Sequence, residues 1–331
     1  MKRHGAAAGV DSVPAFHNFL RSDAFLGLGA PIRETRSKTK VEHKSENNIV
    51  NIRYETPHGV MTARNMFDEP SCSYHPVEFP VKSREDILLM TSVYEDSQVS
   101  FDEEANNRAG ERRKALGESA STMVGVGESP LMEFVEWLAG VENAHYLIAD
   151  YPDETQALFA AMHRVLKRRI EIIADKSPAD AFLLSENTST TLISPEQYRE
   201  YCKPVLKEYA DIMRSADRIL ILHMCGYIKG LLPDIAEVGA AAFEAFTSPP
   251  VGNTALIDGR SVCPDVCIIG GTNAAFWMRD DPTVIISQLE KDLAALPHLR
   301  GIVVSSAGVM PSSCSPETIR KVCDWVRSVP C

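Results

Sequence analysis

The sequence predicts an α/β protein of one domain, spanning residues 1–331 and folded as a (β/α)8 barrel. Three observations predict it. From about residue 119, six short and almost wholly apolar segments follow one another, mostly separated by stretches with helical periodicity. Strands that are apolar on both faces belong to a parallel sheet covered on both sides. The segments end in polar or Gly-rich turns, as strands of a barrel do at the face that carries its chemistry. Neither a dinucleotide-binding glycine fingerprint nor a phosphate-binding Walker loop occurs, which lowers the case for an open doubly wound sheet.

The elements follow in order. Residues 1–48 read as an irregular, polar segment in which 33–44 (RETRSKTKVEHK) form a solvated loop and 10–16 (VDSVPAF) supply a buried strand. Segments 49–56 and 59–66 alternate in polarity across Pro57-His58-Gly59, the pattern of a β-hairpin, here an excursion on the barrel. Ser83 with Asp86 opens a helix whose apolar stripe is Ile87, Leu88 and Met90. Residues 102–117 are charged and read as an exposed helix. Strands are then expected at 122–126, 179–184, 218–222, 241–246, 266–269 and 301–305. Helices are expected at 131–139, 153–175, from Ser194-Pro195 onward, and at 228–238, 282–296 and 316–329. With residues 10–16 and one irregular unit the strand count reaches eight.

Composition narrows the function. The net charge of −11 argues against a nonspecific grip on nucleic acid or anionic membrane, which needs concentrated Lys and Arg. No apolar run approaches the roughly 18–20 residues that span a bilayer, and no apolar stretch of a secretory signal follows Lys2 and Arg3. A soluble, cytoplasmic protein is expected. The eight cysteines lack the dense spacing of a disulfide scaffold, so reduced and mostly buried thiols are the default.

The strand ends gather the candidate site. In order they offer Glu128, then Glu186 and Asn187, then His223 and Cys225, then Glu244, Asn273 and finally Ser306. Each alone has an ordinary reading, since Asn and Ser cap helices. Together they make one polar mouth. Glu186, His223 and Glu244 are the candidates for proton handling and substrate polarisation, and Glu128, Asn187, Asn273 and Ser306 for holding a small substrate. In extended backbone His223 and Cys225 point the same way, and that spacing suits a soft tetrahedral ion such as zinc. Glu186, Glu244 or Cys314 would complete the ligand set. The alternative is that His223 hydrogen-bonds a substrate and Cys225 packs. Cys263 and Cys267 flank the entrance of a strand, at the opposite end from the mouth, and read as packing residues.

Three spaced motifs, Ser185-Glu186-Asn187 with its continuation to Pro204, His223-Met224-Cys225-Gly226, and Gly270-Gly271-Thr272-Asn273, resemble those of the uroporphyrinogen decarboxylase superfamily. Thr56-Pro57-His58-Gly59 and the run 78–86 (EFPVKSRED) resemble the methyltransferase-like branch, which includes methylcobamide:coenzyme M methyltransferases and the methyltransferase components of O-demethylases. The resemblance covers roughly residues 50–330 and implies a (β/α)8 barrel. It also implies methyl transfer between a corrinoid on a partner protein and a small acceptor, with zinc held by the His-x-Cys pair and a second Cys after the last strand. That second Cys is absent at Ala307 and Gly308, and Cys314 lies further on. An Arg-rich N-terminal motif and a turn His expected of true decarboxylases are also missing, the turn reading Ser305-Ser306-Ala307-Gly308-Val309. A decarboxylase or lyase on a small substrate, and a non-catalytic module that binds a corrinoid or small ligand, are the alternatives.

Overall fold

The computed structural model describes residues 12–69, 71–308 and 310–330. Its centre is a parallel sheet of seven strands in the order Phe25–Gly27, Ser121–Gly127, Ala181–Ser185, Ile219–His223, Ala242–Phe246, Cys267–Gly270 and Ile302–Val304. Spatial order equals chain order. A doubly wound sheet reverses direction part-way, so this unbroken succession is the winding of a barrel. The sheet curls until the chain's two ends meet: Arg21 pairs with Asp324 at 2.8 Å and Arg327 with Asp23 at 3.0 Å. Among the described residues the first and last strands share no ladder, and seven parallel strands are found where eight were expected.

The shortfall lies at the N-terminus. The strand expected at 10–16 is instead the helix Ser12–Leu20, residues 10 and 11 lying outside the described residues. Val13, Phe16 and Leu20 recur at helical rather than alternating intervals, and Val13 packs on the small cluster Ala24, Leu26 and Ala120. Nor are residues 1–48 irregular where they are described. The charged run 33–44 contributes to two strands, Ile32–Thr35 and Lys40–Glu46, whose outward positions carry the charges. Between them the chain is pinned by Asp96, which accepts from the backbone N–H of Lys38 at 2.8 Å and of Thr39 at 2.7 Å.

Lys40–Glu46 is one edge of a four-stranded antiparallel sheet with Ile49–Thr56, Gly59–Asp68 and Ser73–Glu78. Thr56 faces Gly59 across the tight connection, and the Thr56 hydroxyl oxygen accepts from the N–H groups of His58 and Gly59. Met61 and Ala63 are buried on the inward face, and Met61 joins the main core beside Ile87, Met90 and Val93 of the helix Arg84–Asp96. Ser83 caps that helix, accepting from the N–H of Asp86.

Helices cover the outer face of the parallel sheet. The 25-residue helix Pro152–Lys176 buries Leu158, Met162, Leu166 and Ile173 against it. The helices Val141–Asp150 and Leu256–Val262 were not anticipated from the sequence. Two helices contain a π-turn, Phe134–Leu138 and Tyr198–Cys202, and such turns frequently mark functional sites. Among the described residues no helix is long and apolar enough to cross a membrane.

Candidate active site

Strand parity decides which polar residues reach the mouth. Alternate residues of the strands face opposite sides. Phe182, Leu184, Leu222 and Phe243 belong to the main core under the helices. Ala181, Ile221 and Ala242, with Leu183, Cys267 and Ile269, form a separate cluster inside the curl. Continuing that inner set toward the strand ends gives Ser185, His223 and Glu244. The register places His223 opposite Ser185 on one neighbour and opposite Glu244 on the other. His223 Nδ1 and the Glu244 carboxylate accordingly form a close ion pair. Burial alone would lower the His223 pKa, but hydrogen bonds to Cys225 and Glu244 outweigh it and raise the value to about 10.

Cys225, Asn187 and Glu136 extend this pair. The Cys225 thiol lies 3.7 Å from Asn187 Oδ1, and Asn187 Nδ2 donates to Glu136 Oε2 at 3.0 Å. Asn187 itself has a left-handed backbone, φ 47°, and its N–H donates to the carbonyl of His223 at 3.1 Å. Next to Glu136, the indole N–H of Trp137 donates to Glu128 Oε1 at 3.0 Å. Burial and the neighbouring Glu136 push the Glu128 carboxyl up to about 8. Burial likewise lifts Glu136 to about 7, although the Asn187 hydrogen bond and the charge of His223 oppose the rise. Sequence reasoning missed Glu136 and Trp137, because 131–139 reads as an ordinary helix and the π-turn that displays them has no simple signature.

Glu186 has the opposite parity from His223 and Glu244, and it behaves accordingly. It is wholly buried, and its carboxylate accepts from Ser129 N–H at 2.7 Å and Ser129 Oγ–H at 2.5 Å. Burial raises its pKa to about 7, the bonds from Ser129 and Cys202 restraining the shift. This placement turns Glu186 away from the mouth and makes it a positioning residue that ties one strand end to the next. Asn273 is also wholly buried. Its Oδ1 caps the following helix at Phe276, and its Nδ2 donates to Ser248 Oγ at 2.9 Å and Pro249 O at 3.2 Å, so its polar atoms are already engaged by the fold. Ser306 spends its hydroxyl on the carbonyl of Gly308.

The metal reading fares differently from the pair that suggested it. Cys314 is buried with Trp277, Ile285, Leu289 and Val322, in a separate apolar cluster. Its thiol lies 3.8 Å from the Ser315 carbonyl and 3.9 Å from Asp280, and burial pushes it up to about 11. Glu186 faces Ser129, and Glu244 is occupied by His223. Among the described residues no group of three or more His, Cys, Asp or Glu is placed to hold a metal ion. The donors do not fit a three-ligand zinc site as arranged.

Backbone strain collects at the same end of the sheet. Asn187, Ala245 and Ala307 have positive φ values of 47°, 67° and 50°. Ala245 forms a bulge that shifts the register between Glu244 and Phe246. Bulges recur beside active sites because they re-aim a side chain.

Residues 109–329 match the sequence profile described as Uroporphyrinogen decarboxylase (URO-D). The chain belongs to the uroporphyrinogen decarboxylase family. Within it, a stretch of 112 residues, 34% of the chain, is 30% identical to the Methylated-thiol--coenzyme M methyltransferase of Methanosarcina mazei. That match spans 30% of the relative's own length. A solved methyltransferase from Methanosarcina mazei superposes with a TM-score of 0.60 at 14% identity, covering 99% of this chain and 90% of its own, and so shares the fold. The family profile begins after the antiparallel sheet and takes in six of the parallel strands, together with the His223–Glu244 pair.

Proposed function

We propose that the protein is a methyltransferase that moves a methyl group between a corrinoid carried by a separate protein and a small substrate seated at the strand ends. The observation that carries this reading is the inward Cys225–His223–Glu244 set within a chain of this family, taken with the methyltransferase names of its two relatives. The corrinoid supplies the cobalt that exchanges the methyl group. The protein's part is to hold and polarise the small substrate. Glu244 fixes the His223 ring and keeps it charged, so that His223 presents a positive hydrogen-bond donor to a developing anion such as a departing thiolate. Asn187 holds Glu136 and Cys225 in place beside it. A decarboxylase acting on a polycarboxylate is opposed by a mouth lined with the carboxyl groups of Glu128, Glu136 and Glu244, where the His223 cation is already paired with Glu244.

Loss of the methyl group from methylcobalamin, followed by absorbance with candidate thiols and amines, tests the reading. The wild type is expected to turn over, and His223→Gln to be slower by about 100-fold with an unchanged melting profile. Chelator-treated protein is expected to keep its rate, given the donor placement. Absence of methyl transfer to or from any corrinoid overturns the proposal.

A further inference from the structure

We propose that the mouth receives its methyl group donor as a small organic cation, a methylated ammonium held by Glu128, Glu136 and the face of Trp137. The inference rests on the reading of this site as one that binds a methyl-bearing small molecule. Each of the two carboxylates uses one oxygen within the fold, Glu128 Oε1 with Trp137 and Glu136 Oε2 with Asn187. The other oxygen of each, Glu128 Oε2 and Glu136 Oε1, is enclosed and has no hydrogen-bond partner among the described residues. Next to Asn187, the wholly buried Thr188 also leaves its hydroxyl unpartnered. Enclosed acceptors without partners are costly in a folded protein unless a ligand answers them.

Trp137 gives the independent indication of what that ligand is. It is a large ring left 39% exposed, with its N–H edge fixed on Glu128. A partly exposed indole ring beside carboxyl groups suits a diffuse cation such as a methylated ammonium, whose positive charge is spread over its methyl hydrogens. A small hard ion would require converging oxygen ligands, and no such group of three occurs among the described residues. The groups that shape the protonation of Glu128 and Glu136 are Glu133, Glu186, Trp137, Asn187 and His223. The net charge of −11 favours the approach of a cation. In the transfer the ammonium nitrogen keeps the electron pair of the C–N bond and departs as a neutral amine. The electron pair for the new bond to carbon would come from the corrinoid when that group is bound. The carboxylates therefore hold the charged substrate more tightly than the neutral product.

Calorimetric titration with tetramethylammonium and choline, against the neutral isostere 3,3-dimethylbutan-1-ol, tests this. In two buffers of different ionisation heat at pH 7, the cations are expected to bind with release of protons, because a positive charge lowers the carboxyl pKa values that burial has raised. The alcohol should bind at least about 10-fold more weakly and release none. Glu128→Gln and Glu136→Gln should each weaken choline about 10-fold and leave the alcohol unchanged. Trp137→Leu, at an exposed position, should also weaken choline, a test that stands even if either Gln variant misfolds. Equal binding of alcohol and choline, or choline binding indifferent to all three substitutions, overturns the proposal. Methyl transfer from a neutral methylated thiol without any cation binding would overturn it and leave the methyltransferase reading standing. Cation binding without any methyl transfer would overturn the methyltransferase reading and, with it, the role of the cation as methyl donor.

Discussion

At the scale of single residues, one step along a strand separates chemistry from scaffolding. His223 and Glu244 face the interior of the curl, whereas Glu186 faces the helices and Ser129. A carboxyl buried in this way is held protonated more readily than in the unfolded chain, and the sign of its effect on stability follows. Its pKa is about 7 in the folded protein against an ordinary 4.5, so the native state binds more protons between those values. Stability therefore falls as pH rises from about 4.5 to about 7, and the group's share levels off above that. The whole shift corresponds to about 3 kcal/mol. Glu186→Gln keeps an acceptor for the Ser129 N–H and removes the titration. Urea denaturation should find it close to wild type near pH 5 and more stable by up to about 3 kcal/mol at pH 8. A variant whose pH profile parallels the wild type would show that Glu186 ionises without cost.

At the scale of elements, the site depends on departures from regular structure. The bulge at Ala245 sets the direction of Glu244, and the neighbouring strand accommodates it through Gly270, where a Cβ would lie 2.7 Å from the Phe246 carbonyl. Backbone atoms cannot step aside as a flexible side chain can. Gly270→Ala should cost about 1–3 kcal/mol in a denaturant midpoint measurement. Because the displacement falls on the bulge, methyl transfer should decline together with the stability. Such departures also mark where the sequence stops being readable. The parallel strands were legible because each is a short apolar run, and the strand ends were legible as polar turns. Parity was harder, since both faces are apolar. The remaining cue was size, with Phe182, Leu184 and Phe243 toward the helices and Ala181 and Ala242 inside. Glu136 and Trp137 depend on a π-turn, whose extra residue leaves no periodic trace. The strand assigned to 10–16 and the loop assigned to 33–44 failed for a different reason. A five- to seven-residue window holds too little periodicity to separate a helix turn from a strand, and exposed edge strands carry as much charge as loops.

At the scale of the whole molecule, a sheet wound in chain order must bring its two ends together, and what joins them is mostly not the sheet. The ion pairs Arg21–Asp324 and Arg327–Asp23 are exposed and contribute little each. The C-terminal end of the curl is held by a cluster of its own, Trp277, Ile285, Leu289, Cys314 and Val322, in which the helices Pro282–Ala294 and Pro316–Ser328 pack on each other next to the last strand. It is separate from the main core that serves the preceding strands and the antiparallel sheet. Leu289 is wholly buried there, and Leu289→Ala opens a cavity between those two helices. The expected loss is about 3 kcal/mol. If the cluster is what holds the last strand in the curl, hydrogen exchange in the variant should accelerate first over Ile302–Val304 and Pro316–Ser328. The helix Arg84–Asp96, anchored in the main core, should keep its protection. Uniform acceleration across both regions would mean instead that the curled sheet and its antiparallel excursion unfold as one unit.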